Sequence, residues 1–453
     1  MRILWLLSLF TFLATFSFAG KPAPPDPLAV MAEFDRETAT ELWPGFAPKN
    51  IAIAIFDGKQ TWLFHQSGPP DGFSELAQHR DIFIYNGRHP SVKSNTNVEL
   101  NGIGTAAVDL SDIRKQPISE QAALLVHEAF HVFQHERHPK WTANEADLFM
   151  YPLDNAGFLQ HRREETESLR RALLARSKDE SVCWAAETIR IRDLRFTALS
   201  PSAAAYERAT ELHEGLANYL QVRAAGTANS FTLPQGGFPA DSVRQRSYAT
   251  GAALALLLDR TAPGWQKEME SGQPGSLDQL LKTKLYFAAS PCAISETDEA
   301  AISNNARADV DALKKRLERK KSDVLTALGW QIIVASNSPQ VMNAEGFDPM
   351  NVSLVAPGEV LHQRWIKLSN GDGSVEVLNR ASLSNSAGNH PLLDGVKQLT
   401  VTGLKDRPTI SIDGGMVRVY AEGVRAEFRH ALVRTEGRKV LIEVGQQHTL
   451  QTQ

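Results

Sequence analysis

The chain has 453 residues, of which 42% are hydrophobic, 22% charged and 8% aromatic. This balance excludes intrinsic disorder and collagen-like or low-complexity architectures, and it provides for a substantial core. Lys and Arg number 48 against 52 Asp and Glu, a net charge of −4, and no basic stripe with interleaved aromatics occurs, so no nucleic-acid partner is expected.

Residues 3–19, ILWLLSLFTFLATFSFA, follow a single Arg2 and end in small residues before Gly20. A charged start, an apolar middle and a small-residue end predict a signal peptide over 1–19, cleaved after Ala19. The alternative, an uncleaved anchor helix, fits less well because the apolar run is short and KPAPPDP reads as a loop. The mature protein is therefore expected to be secreted or periplasmic, with no membrane span after cleavage.

Residues 20–117 form a predicted N-terminal β-rich region. IAIAIF (51–56) and TWLFH (61–65) flank Asp57-Gly58 and read as a hairpin, because Asp-Gly tolerates the positive φ angles of a tight turn. DIFIY (81–85) and the stretch 98–110 are further strand candidates. From about Glu120 the apolar residues recur at three- and four-residue intervals. Helices are predicted at 118–138, 154–177, 181–198, 202–224, 243–260, 276–288 and 305–328, within a helical domain over 118–330. The charges of the last helix read as a solvated face. Beyond Trp330 two hairpins are expected, over 360–379 around NGDG and over 409–423 around DGG, in a C-terminal β domain over 331–453. Cys183 and Cys292 are the only cysteines, and an even pair in an exported chain favours one disulfide over two buried thiols.

The chemistry concentrates in ALLVHEAFHVFQH (123–135), which contains His127, Glu128 and His131 as H-E-x-x-H. Residues four apart share one helix face, so both imidazoles can reach one metal ion while Glu128 stands beside it as a base for water. His135 cannot join them from the same straight helix. It lies eight residues from His127, about 12 Å along the axis, whereas a Zn–N bond is about 2 Å. The longer H-E-x-x-H-x-x-G-x-x-H form is absent, since Gln134 and Arg137 occupy the Gly and His places.

A catalytic zinc needs a third protein ligand. The favoured candidate is Glu214 in ELHEGLANYL (211–220), and Glu145, His161, Glu211 and His213 are rivals. Gly215 inside a helical run costs about 1 kcal/mol relative to Ala, which points to a close neighbour. Together with Ala217 it would let this helix lie against the one that carries the histidines.

H-E-x-x-H followed on a later helix by E-G-x-A-x-Y resembles the gluzincin metallopeptidases, the group that includes thermolysin-like and membrane-alanyl-aminopeptidase-like enzymes. SYATGAALALLL (247–258) looks like the Y-x-x-G-A segment of the aminopeptidase branch. The resemblance covers roughly residues 120–260. It implies one Zn2+ per chain held by His127, His131 and Glu214, Glu128 as general base, and Tyr248 as the donor to the developing oxyanion. Two departures stand out. Eighty-two residues separate His131 from Glu214, far more than in that group, and the amine-binding G-x-M-E-N motif is replaced by NGIGTAAVDL (101–110), which reads as an edge strand able to align a peptide by β-addition. The expected class is α+β: a mainly helical, zincin-like catalytic domain after a small β-sheet region and before an all-β accessory domain. The expected function is that of an exported zinc metallopeptidase acting on a peptide or protein substrate. The alternatives are a non-catalytic zinc-binding interaction protein and a zinc hydrolase for a non-peptide substrate.

Overall fold

The computed structural model describes residues 26–77, 79–272, 275–285, 290–336 and 341–445, so the expected signal peptide lies outside the described residues. No described helix is long and apolar enough to cross a membrane. The chain combines helices with several sheets, an α+β architecture, and divides after His135 into two compact units.

Among the described residues the smaller unit begins with helix α1 (Pro27–Glu37), which the β-rich reading of 20–117 does not include. Asp26 Oδ1 accepts from the Leu28 N–H at 3.0 Å and Pro27 occupies the first helical position. Both are favoured at a helix start, the first by satisfying an orphan donor and the second by its fixed φ. Among the described residues six strands follow: β1 (Ala52–Phe56), β2 (Gln60–Phe64), β3 (Ser74–Leu76), β4 (His79–Asn86), β5 (Thr96–Leu100) and β6 (Ile103–Asp109), ordered β3-β4-β2-β1-β6-β5. The Asp57-Gly58 hairpin forms with Phe56 opposite Thr61, and Asp57 Oδ1 accepts from the Lys59 N–H at 2.7 Å.

The stretch 98–110, expected as strand, is instead the end of β5, a turn and β6. Asn101 and Gly102 take φ 49° and 77°, the positive pair of an Asn-Gly hairpin turn. β6 pairs with β1 on one side and β5 on the other. Both its edges are used, so the expectation that 101–110 supplies a free edge for a peptide is overturned. A short helix α2 (Leu110–Ile113) leads to α3 (Ile118–Arg137), whose Phe130 packs edge-on against Trp43 and Phe46 at centroid distances of 5.6 and 5.3 Å.

The larger unit carries α4 (Ala156–Leu174), α5 (Lys178–Thr197), α6 (Pro201–Thr210), α7 (Leu216–Ala224), α8 (Val243–Thr261), α9 (Trp265–Glu270), α10 (Leu277–Leu285) and α11 (Glu296–Thr326). The last starts nine residues earlier than its apolar stripe suggests, because Ser295 caps it by accepting from the Asp298 N–H. Cys183 in α5 and Cys292 are joined by a disulfide.

Among the described residues thirteen strands follow. They are β7 (Trp330–Ser336), β8 (Asn343–Phe347), β9 (Val352–Ala356), β10 (Glu359–His362), β11 (Trp365–Asn370), β12 (Gly373–Leu378) and β13 (Ser382–Ser386), then β14 (Val396–Leu404), β15 (Thr409–Asp413), β16 (Met416–Ala421), β17 (Val424–Arg429), β18 (Ala431–Glu436) and β19 (Lys439–Val444). One sheet runs β18-β19-β7-β14-β13-β10-β9 and the other β15-β16-β17-β12-β11-β8. A shared cluster of Val334, Val401 and Ile442 from the first sheet with Ile366, Val375 and Phe428 from the second makes their common core. The hairpin expected around NGDG forms as β11 and β12, while the start of the 360–379 stretch belongs to β10, a strand of the other sheet. The hairpin around DGG forms as β15 and β16.

Candidate metal centre

His127 and His131 lie on one face of α3 and both are buried. Their Nε2 atoms are 3.1 Å apart, close to the edge of about 3.3 Å expected between two nitrogens on a tetrahedral ion at 2.0–2.1 Å. The Nδ1 of His131 donates to Gln134 Oε1 at 2.8 Å. This bond leaves Nε2 as the basic nitrogen, the outer support usual for a ligating imidazole. Gln134, noted in the sequence only as a departure from a longer motif, thus sets the tautomer of His131. Glu128 is buried next to His127, 5% exposed.

Glu214 sits in a π-helical turn, Glu211–Gly215, set between α6 and α7. Such turns interrupt a helix at some energetic cost and concentrate at functional sites. Contacts of Glu211 and Gly215 hold this one. Glu211 Oε1 accepts from Thr250 Oγ1 at 2.7 Å and its other oxygen accepts from Arg192. Gly215 lies against Gly251 of α8, where a β-carbon on Gly215 would come within 2.6 Å of the Gly251 Cα. The close neighbour that Gly215 implied is α8, whereas the sequence reading names the histidine helix. Burial raises the Glu211 carboxyl to about 7, against the opposing pull of Arg192.

Arg244, one turn before Tyr248 on α8, organises the acidic side. Its Nη2 donates to Glu214 Oε1 at 2.6 Å, its Nε to Glu145 Oε1 at 3.0 Å, and its Nη1 to the Tyr248 hydroxyl. Tyr206 donates to the other Glu145 oxygen at 3.0 Å. Burial, then the Glu214 charge, raises the Tyr248 phenol above its ordinary range, so it stays protonated and able to donate. Sequence reasoning missed Arg244. The available signal was its i,i+4 spacing to Tyr248, which places both on one helix face.

Among the described residues, His127, His131 and Glu214 form a group able to hold a metal ion: all three are buried, and one ligand atom from each lies within 4.8 Å of the others. Two imidazoles and a carboxylate suit a transition metal such as zinc. Of the rivals, Glu145 is engaged by Arg244 and Tyr206, Glu211 by Arg192 and Thr250, and the His213 Nδ1 stands 3.5 Å from Glu214 Oε1. His161 lies on α4 and is not part of the group. No family model, curated protein or solved structure matches the chain.

Proposed function

We propose that this chain is an exported zinc metallopeptidase that hydrolyses peptide bonds, with residues 118–330 as its catalytic body. The observation that carries the reading is the convergence of the H-E-x-x-H histidines with a distant buried carboxylate, Glu214. His127, His131 and Glu214 would hold one Zn2+ per chain. When bound, the ion supplies a Lewis acid that polarises a carbonyl and acidifies water.

The chain's own residues do the rest. Glu128 accepts the proton of the attacking water and passes it to the leaving amine. Tyr248, kept neutral by burial, donates to the oxygen on which negative charge develops. Arg244 bonds to both Glu214 and the Tyr248 hydroxyl, so ligand and donor keep a constant relation to each other. Water-activating chemistry explains why a glutamate that is absent from the ligand group is buried beside the metal site. A purely structural site has no use for it.

The test is zinc content together with cleavage of a mixed peptide library read by mass spectrometry, on the unaltered protein and on Glu128→Gln. The amide keeps the shape and cannot accept the proton. Retained zinc with a loss of at least about 10²–10⁴-fold in rate is expected. A protein prepared with zinc available that holds none, or a Glu128→Gln variant of undiminished rate, removes the reading.

A further inference from the structure

β9 is the last strand of its sheet. It pairs with β10 on one side, and among the described residues no strand pairs with its other side. All five of its residues are half-buried. An unpaired strand edge presents a row of main-chain donors and acceptors, a ready template for another extended chain.

A cavity of about 410 Å³ runs beside it, within the roughly 300–1,000 Å³ usual for ligand sites. Successive residues 352–357 all line this cavity, and Leu148, Leu153, Leu313 and Leu317 supply apolar walls. Contact with every residue along a strand, rather than with one face of it, suits an occupant that is itself extended. Alternate side chains of such an occupant would enter the apolar space. At the rim, Asp241 is engaged by Arg316, which leaves Asp154 and Glu318 against Lys314 and favours a basic flank on the occupant.

The strand also starts beside the acidic half of the metal centre. Met350, two residues before β9, places its Sδ 3.5 Å from Arg244 Nη1 while remaining 47% exposed. Its turn is pinned by Asp348, whose Oδ1 accepts from the Met350 N–H at 2.9 Å and whose Oδ2 accepts from Asn351 Nδ2 at 3.0 Å.

We infer that β9 is the substrate-aligning strand: an extended peptide with apolar side chains and a basic flank adds to its open edge and is led past Met350 towards Glu214. Main-chain hydrogen bonds supply affinity, and the apolar walls supply preference for the side chains between them. The thioether of Met350 adapts to varied side chains next to the reacting bond. The inference rests on the peptidase reading for its purpose, but its test needs no turnover.

The probe is a fluorescein-labelled, amide-capped peptide, Lys-Leu-Ser-Leu-Ser-Leu-Lys, titrated by fluorescence anisotropy into the full-length Glu128→Gln protein. In a strand, successive N–H groups point to opposite edges, so only one alternate set can face β9. Two further probes carry N-methyl groups, one on the three leucines and the other on the two serines. One of these should bind about tenfold or more weakly, through loss of two or three main-chain hydrogen bonds, and the other within about twofold of the parent. Leu354→Lys should weaken the parent probe by a similar factor. Ile412→Lys, on the exposed β15 edge of the other sheet, should leave it unchanged. Circular dichroism and melting temperature establish that both variants fold. No binding of the parent probe, equal binding of both N-methylated probes, or undiminished binding to Leu354→Lys would overturn the inference. Zinc content and library cleavage by the unaltered protein report separately on the peptidase reading. Phase-dependent binding without cleavage removes that reading and leaves β9 as a peptide-binding edge, whereas cleavage without phase-dependent binding removes β9 and leaves the peptidase.

Discussion

Gly215 and Gly251 cross so closely that a β-carbon on Gly251 would lie 2.6 Å from the Glu211 carbonyl oxygen and 2.7 Å from the Gly215 Cα. The atoms met are backbone, which cannot swing aside. Glu214 precedes one glycine and Tyr248 lies one turn before the other, so this crossing sets the spacing between Glu214 and Tyr248. Gly251→Ala gains about 1 kcal/mol of helix propensity, but forced separation of packed backbones costs about 1–3 kcal/mol. The variant should melt lower than the unaltered protein and bind zinc more weakly. Normal zinc affinity in a folded Gly251→Ala protein would show that the crossing does not place Glu214.

The choice of third ligand is decided by comparing two carboxylates that share one arginine. Glu214→Ala should lose most zinc affinity and all turnover, because only His127 and His131 remain. Glu145→Ala should retain zinc, since Glu145 is spent on Arg244 and Tyr206. Metal analysis of both variants under identical zinc buffering checks this, and loss in Glu145→Ala alone would reverse the assignment.

Tyr248→Phe tests the donor. It removes the hydroxyl without removing the ring, so zinc content should stay near the unaltered level while kcat falls about 10²–10³-fold. Rates on one cleavable peptide, measured at saturating substrate, provide the readout. An unchanged kcat would leave Tyr248 as a packing residue.

The helices that support the π-helical turn are joined by a buried ionic cluster. Arg195 donates to Glu165 at 2.7 Å and to Glu207 at 2.8 Å, and Arg246 reaches the same two carboxylates at 2.7 and 2.8 Å. Burial pushes the Glu207 carboxyl up, yet Arg195 and Arg246 outweigh it and hold the group well below the usual range. Removing one partner leaves a buried charge without its full complement of partners. Arg195→Met should therefore lower unfolding free energy by about 3–5 kcal/mol, measured by urea denaturation. A change below about 1 kcal/mol would mean that water or rearrangement compensates the exposed carboxylates.

His362 predicts an acid dependence. Burial lowers its imidazole from the ordinary 6.5 to about 3, and its Nε2 lies 2.9 Å from the Ser384 hydroxyl. The folded state holds it neutral, while the unfolded chain binds a proton below pH 6.5. Its contribution is thus fully present above pH 6.5 and is lost as pH falls towards 3, at about 1.4 kcal/mol per pH unit. Stability measured from pH 7 to 4 should fall less steeply, by one proton, in His362→Asn. Parallel pH profiles for the two proteins would place the titration elsewhere.

Residue order within short windows determined the local parts of this protein. His127, Glu128 and His131 are recognisable because helical geometry turns a four-residue spacing into one face, and Asp57-Gly58 is recognisable because Gly58 takes a positive φ of 100° that favours glycine. Gly215 announced a close neighbour, although not which one. Tertiary structure alone decided that Glu214 rather than Glu145, His161, Glu211 or His213 joins the histidines, because eighty-two intervening residues leave that meeting to packing between distant helices. It also decided that, among the described residues, β6 is paired on both edges while β9 is paired on one, since strand order depends on long-range pairing that no single strand encodes. Arg192, Arg195, Glu165 and Glu207 lie on three different helices, and nothing in their local sequence marks them as buried. They are buried because charges on separate helices satisfy one another, and a linear sequence holds no record of which charges will meet.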